Sequence, residues 1–262
     1  MDRLINLIKF NLFHFTYRQW IFAILLFGLL GSFNVFYFNG EFSVYDSLIL
    51  QFGAYGSIGA NILLLLHHLL PYLLLMYFID LYIENNMAKN LLYTMLRVSK
   101  TKYWLLSHLV VIFWYNVVYF LLYDLSAWFI QRSIYEGAGV TLPFVRDGLP
   151  ETPYSLWKFL LLVCMVQVLG SFAMSVFQML LNYRFGKLGY SYVTVMMVYL
   201  VNLVVPEHNL WIGSHLALEK YNVLSVSSGM NSISSFVVMQ CVVVMVALYF
   251  LYRSVSRNVS NY

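Results

Sequence analysis

The side chains that could do chemistry in this chain are few, and most stand inside apolar stretches. His67 and His68 are adjacent. On a helix their side chains diverge by about 100°, so they do not converge on one metal, and no third ligand stands at helical spacing. A histidine facing a polar path, or one packed with a satisfied ring nitrogen, remains. Asp80 and Glu84 are four residues apart and share one face where an apolar stretch ends. They can pair with Arg97 or Lys89, contact a soluble partner, or stand as two solvated interfacial acids. Asp124 lies about twenty residues into another apolar stretch, close to its far end at about 1.5 Å per residue. An acid inside a membrane is a functional candidate by default. This depth allows hydration from the headgroups, and the solvated reading is the expectation. Ser171 and Ser175 have no identifiable base, and bonding back to their own helix accounts for them. Cys164 and Cys241 both fall in apolar runs, which argues against a disulfide, and no metal-ligand spacing is present. No HExxH and no glycine-rich phosphate loop occurs. Asp80 and Asp124 are expected near opposite membrane faces, which excludes a dyad sharing one proton. The expectation is a chain that is not itself an enzyme.

The elements that must position these residues follow from composition. Of 262 residues, 61% are hydrophobic and 10% charged, with mean hydropathy +0.74. Soluble domains carry about 25% charged residues. The chain therefore reads as one all-α, polytopic membrane domain over 1–262, with no nucleic-acid partner and with membrane lipid as its surroundings. Residues 1–19 form an interfacial elbow helix, with Leu4, Ile8 and Leu12 on one stripe and Arg3, Lys9 and Arg18 off it. Six transmembrane spans are expected over 20–38, 61–83, 104–130, 156–182, 188–205 and 233–252. Each clears or approaches the roughly 20 residues that crossing needs. Pro71 is a possible kink in the second span. The loop 39–61 contains the apolar run LILQF, which is expected to touch the membrane surface. Tyr and Phe together number 43, enough for aromatic belts at both interfaces. Gly28, Gly31, Gly170, Ser171 and Ala173 are expected to form close-packing surfaces.

Between the second and third spans stands the segment ENNMAKNLLYTMLRVSKTK, 84–102. Met87, Leu91 and Met95 repeat every four residues, with Ala88, Leu92 and Leu96 beside them. Asn90, Thr94, Arg97 and Thr101 line the other side. This period predicts an amphipathic helix. Glu84 near its start and Arg97, Lys100 and Lys102 near its end suit the helix dipole. A basic helix held between two spans can lie on headgroups or dock into a groove on a soluble partner.

Orientation follows from Lys and Arg. Eleven stand on one side: Arg3, Lys9, Arg18, Lys89, Arg97, Lys100, Lys102, Arg184, Lys187, Arg253 and Arg257. Four stand on the other: Arg132, Arg146, Lys158 and Lys220. The asymmetry places both termini and the 84–102 helix in the cytoplasm.

This layout resembles the type-2 ABC transporter permeases, which have an elbow helix, six spans and a coupling helix between spans 2 and 3. They also carry short re-entrant helices between spans 5 and 6, here within 206–232. Locally, Glu84 matches the glutamate at which such coupling helices begin, and Leu96, Arg97, Ser99 and Lys100 match their close. The segment is similar to small permease subunits of Gram-positive exporters for bacteriocins and other membrane-active peptides. The resemblance implies that Glu84, Leu91, Leu92, Met95, Leu96, Arg97 and Lys100 couple to a dimer of separate ABC ATPase subunits. That pair would carry ATP and Mg, since this chain has no Walker motif and needs no cofactor of its own. It further implies a second permease chain, an amphipathic peptide substrate and the bacterial cytoplasmic membrane. The alternative from a different class is a stand-alone membrane immunity or sensor protein that binds a peptide or lipid without ATP. The topology makes a direct prediction: cysteines placed at Asn90 and at Gly148 label with impermeant maleimide from opposite sides of the membrane. Labelling of both from outside would overturn the six-span arrangement.

Overall fold

A computed structural model describes residues 2–12, 17–37, 44, 48, 51–52, 62–88, 101–135, 156–185, 189–204 and 233–260. Among them the chain is all-helical. Helices are what an apolar chain must form, because each backbone N–H and C=O then finds its partner within its own segment. In order they are α1 (Asp2–Leu12), α2 (Tyr17–Tyr37), α3 (Ile62–Tyr82) with a π-helical turn (Ile83–Ala88), and α4 (Thr101–Tyr135). They continue with α5 (Leu156–Phe185), α6 (Tyr190–Val204) and α7 (Ile233–Ser260).

Four stretches are long and apolar enough to cross a membrane: Leu66–Asn86, Lys102–Ile134, Leu156–Phe185 and Ser234–Val255. A fifth results if Ile5–Leu12 and Tyr17–Phe33, inclined at 62°, count together. The 15 residues of α6 extend about 22 Å, short of a hydrocarbon core of about 30 Å. The chain is thus a multi-span helical membrane protein. Element boundaries differ from expectation most at α7, which runs on from Tyr252 to Ser260, and at α4. The 35 residues of α4 extend about 52 Å, and Thr101 and Lys102, expected in the amphipathic helix, belong to it. Glu84 lies in the π-helical turn that prolongs α3 rather than opening a separate helix. Leu91, Leu92, Met95, Leu96, Arg97 and Lys100 fall outside the described residues, as does 206–232.

The bundle centres on α4 and α5. Helices α1 and α2 pack on α4, α6 packs on α3 and α5, and α7 packs on α5 while turning most of its surface outward. Helix ends that the charge count assigns to one side meet at one end of the bundle. Asn11 of α1 donates to Ser107 Oγ of α4 at 3.1 Å, and Lys102 Nζ sits 5.9 Å from the Tyr252 ring of α7. The turn into α6 is set by Gly189, whose φ of +83° is open to glycine without strain. Its carbonyl accepts the Val193 N–H at 2.9 Å and so starts the helix.

One expectation about surfaces is overturned. Leu48, Gln51 and Phe52, from the LILQF run expected at the membrane surface, are buried against the bundle. Burial of Leu48 and Phe52 removes apolar area from polar surroundings, and Gln51 finds side-chain partners on α4. Not all the tyrosines stand at the surface. Tyr72, Tyr115, Tyr119, Tyr123 and Tyr199 are in the core, where Phe27 meets Tyr119 and Tyr123 with ring centroids at 4.9 and 5.1 Å. Each ring buries a large apolar body, and hydroxyls find partners inside, as when Tyr119 donates to the Pro71 carbonyl at 2.6 Å.

The glycine expectation divides. A Cβ on Gly31 would stand 2.8 Å from Ile130 Cδ1 and 3.7 Å from the Ala127 Cα, so α2 and α4 approach closely there. A Cβ on Gly28 would meet nothing within 4 Å. Gly31→Ile should therefore lower stability by about 1–3 kcal/mol through overpacking. Gly28→Ala should be neutral or stabilising by up to about 1 kcal/mol. Thermal unfolding of the two purified variants in one detergent checks the contrast, and equal losses would remove the α2–α4 contact.

Candidate functional site

The polar side chains inside the bundle collect into two groups. The first is built where α3, α5 and α6 meet. Asp80, two residues before the end of α3, is buried. Its Oδ1 accepts from Ser191 Oγ of α6 at 2.7 Å, from Gln178 Nε2 of α5 at 3.2 Å and from Asn182 Nδ2 of α5 at 3.5 Å. Gln178 Nε2 also reaches the Met76 carbonyl at 3.1 Å. One oxygen thus joins three helices. Asp80 is not the solvated interfacial acid of one sequence reading, and these partners are uncharged. In an apolar interior an acceptor without donors is costly, so the carboxyl draws in the donors that the neighbouring helices supply. Toward α4, Tyr82 OH and His108 Nδ1 are 2.7 Å apart, and Trp104 packs edge-on against His108 with centroids at 4.7 Å. The π-helical turn with Glu84 continues directly from this joint. Such turns recur at functional sites because they re-aim the side chains that follow. Lys89 and Arg97, expected to pair with these acids, lie outside the described residues.

Sequence reasoning passed over Gln178, Asn182 and Ser191. The signal for the first two was present. Ser171, Ser175, Gln178 and Asn182 stand at spacings of four, three and four along α5, a polar stripe on an otherwise apolar span. Within that stripe Ser175 donates to the Ser171 carbonyl at 2.7 Å, the back-bonding expected of it. It also accepts from Asn116 Nδ2 of α4 at 3.3 Å.

The second group lies toward the other end. Cys164, which faces Asp124, precedes Gln178 by 14 residues on α5, about 21 Å along the axis. Asp124 is 4% exposed, which corrects the expectation of hydration from the headgroups. Around it, Gln51 Nε2 donates to Tyr123 OH at 3.3 Å, and Gln131 Nε2 donates to Gln51 Oε1 at 2.9 Å. His67 and His68 do not act together. His67 Nε2–H donates to the Leu30 carbonyl at 3.0 Å, and its ring stacks on Phe33 with centroids at 4.8 Å. His68 bonds the backbone of Gln51. Both are packed histidines with a ring nitrogen satisfied. Among the described residues, no three His, Cys, Asp or Glu side chains converge on one point.

No protein-family model, curated protein or solved structure matches this chain.

The first group has a measurable energetic signature. Hydrogen bonds between spans contribute about 0.6 kcal/mol on average, with a ceiling near 1.7. Ser191→Ala should cost about 1 kcal/mol. Asp80→Ala should cost about 2–3 kcal/mol, because it orphans three donors together. The double variant should be no worse than Asp80→Ala alone, a coupling that thermal unfolding in detergent reads directly. Strict additivity would mean that the two side chains do not share one joint.

Proposed function

We propose that this chain is the membrane-spanning permease subunit of an ABC transporter. It would export an amphipathic substrate such as a membrane-active peptide. In this reading the chain has six spans: the four long apolar helices, the span begun by α2, and α6 completed by neighbouring residues. The cytoplasmic coupling helix lies within 84–102, between the π-helical turn and the start of α4, and both termini face the cytoplasm of a bacterial cell. Two ATPase chains hold ATP and Mg, grip the coupling helices of this chain and of a second permease chain, and tilt them as they close. This chain performs no bond chemistry. The short helices expected in 206–232 would cap the pathway.

The observation that carries the reading is the basic amphipathic segment held between two spans, rooted beside a buried three-helix joint at Asp80. A cytoplasmic lever needs such a root. If the segment only rested on headgroups, motion in it would have no route into α5 and α6. Rooted at Asp80, displacement of the π-helical turn pulls on both. The aromatic interior suits an amphipathic passenger, since rings offer apolar faces and hydroxyls offer hydrogen bonds.

The test is disruption of the docking face. Leu92→Asp and Met95→Glu place a charge where a buried interface would be, a change costing a few kcal/mol. The ATPase should no longer co-purify, while the variant permease inserts and accumulates normally. Arg97→Glu should act in the same direction, more weakly and with salt dependence. Unchanged co-purification and transport in the first two variants would overturn the assignment and favour the stand-alone immunity or sensor protein, which docks nothing there.

A further inference from the structure

Asp124 is an anomaly among the buried polar groups. Among the described residues its carboxylate meets only the Cys164 thiol of α5 as a donor, and neither oxygen has a stronger hydrogen-bond partner, although the side chain is buried. The titratable groups that face it are the Cys164 thiol from α5, Tyr123 from its own helix and Tyr72 from α3. Among the described residues no lysine, arginine or histidine faces it. A thiol is a weak donor and cannot offset a bare charge. One turn along α5 from Cys164, Gln167 is also buried, and its Oε1 lacks a donor. Its amide is engaged by the Tyr72 hydroxyl. Among the described residues the site therefore has spare acceptors and one formal negative charge, with a weak thiol donor and no cation of its own.

The depth matters. Eleven residues of α4 follow Asp124, through Tyr135, about 16 Å of helix. On that stretch Leu125 and Phe129 are exposed apolar side chains, as expected of a helix still surrounded by hydrocarbon. Protein encloses the carboxyl and leaves the residue 4% exposed. An unpaired carboxylate is not tolerated in such a place. One charge calls for one compensating charge. A divalent ion would leave an excess, and among the described residues no second acid is grouped there.

We propose that Asp124 is the seat of one monovalent cation, a proton or an alkali ion, held between α3, α4 and α5. The inference stands on the geometry of this site and is independent of whether 84–102 docks an ATPase. It gives the chain an ion-binding site within its membrane span, at the opposite end of the bundle from the Asp80 joint.

Two measurements on the purified full-length chain in detergent separate the sources. The first is the infrared spectrum of wild type minus Asp124→Asn, which preserves shape and removes the charge. The second is melting temperature in sodium, lithium or choline chloride at equal ionic strength. A carbonyl stretch of a protonated, weakly hydrogen-bonded acid, lost in Asp124→Asn and indifferent to the salt, supports the site with a proton as occupant. No such band, but a melting temperature raised by sodium or lithium over choline and levelled in Asp124→Asn, supports it with an alkali ion. Absence of both signals, or a salt response identical in wild type and Asp124→Asn without the band, overturns the proposal. If Asp124→Asn does not accumulate, Asp124→Glu replaces it. The band or the cation response should then shift from the wild-type value, and an unshifted response overturns the proposal.

Discussion

Inside a membrane, a polar side chain has no water to fall back on, and the bundle is arranged around that constraint. Its clearest expression is Asp80, whose one oxygen takes donors from α5 and α6. Apolar packing alone leaves helix register loosely defined, since lipid tails and leucine side chains are about equally apolar. A directional acceptor with three donors fixes rotation and depth together. Asn182 reaches Asp80 only if α5 keeps the register that also brings Gln178 to the Met76 carbonyl. Ser191 reaches it only because Gly189 turns the chain so that α6 begins one step earlier.

The same logic extends along α4 and α5. Asn116 of α4 donates to Ser175 of α5, and Ser175 in turn donates to the Ser171 carbonyl. Tyr119 reaches across to α3 at Pro71, a residue that cannot supply its own N–H to the helix ladder. Gln51, from the segment before α3, is held by Tyr123 and Gln131 of α4. These contacts alternate with aromatic rings down the bundle. The result is a core in which apolar bodies supply area and hydroxyls and amides supply register, a division that tyrosine serves with a single side chain.

Most of the helical architecture was legible in the sequence, because the length of an apolar run reports directly on whether it can cross a membrane. The starts of α5 and α7 and the extent of α3 match the apolar runs closely. The over-extension of α4 was hidden, since Thr101, Lys102 and Gln131–Tyr135 are polar enough to read as loop yet continue a helix beyond the hydrocarbon. The destinations of polar side chains were less legible. Asp80 meets partners 98 and 111 positions away, and nothing near Asp80 announces them. LILQF reads as a surface-seeking run from its neighbours alone, whereas burial of Leu48 and Phe52 depends on a cleft made by other helices. Asp124 was misplaced for a related reason. Distance along a helix locates a residue in depth, but whether the side chain faces lipid, water or protein depends on rotation about the axis.

The two polar groups stand about 21 Å apart along α5, from Cys164 to Gln178, and α5 is one helix from end to end, Leu156–Phe185. That continuity has a mechanical consequence. A helix packed on α3, α4, α6 and α7 cannot be displaced at Asn182 without moving its other end as well, because packed interiors yield by shifting between arrangements rather than by bending smoothly. Asp80 ties α5 to the root of the 84–102 segment, and Cys164 and Gln167 carry α5 past Asp124. A change at either group must therefore be felt at the other through a single rigid element. This holds whichever class of partner engages the cytoplasmic segment, since the linkage resides in α5 itself.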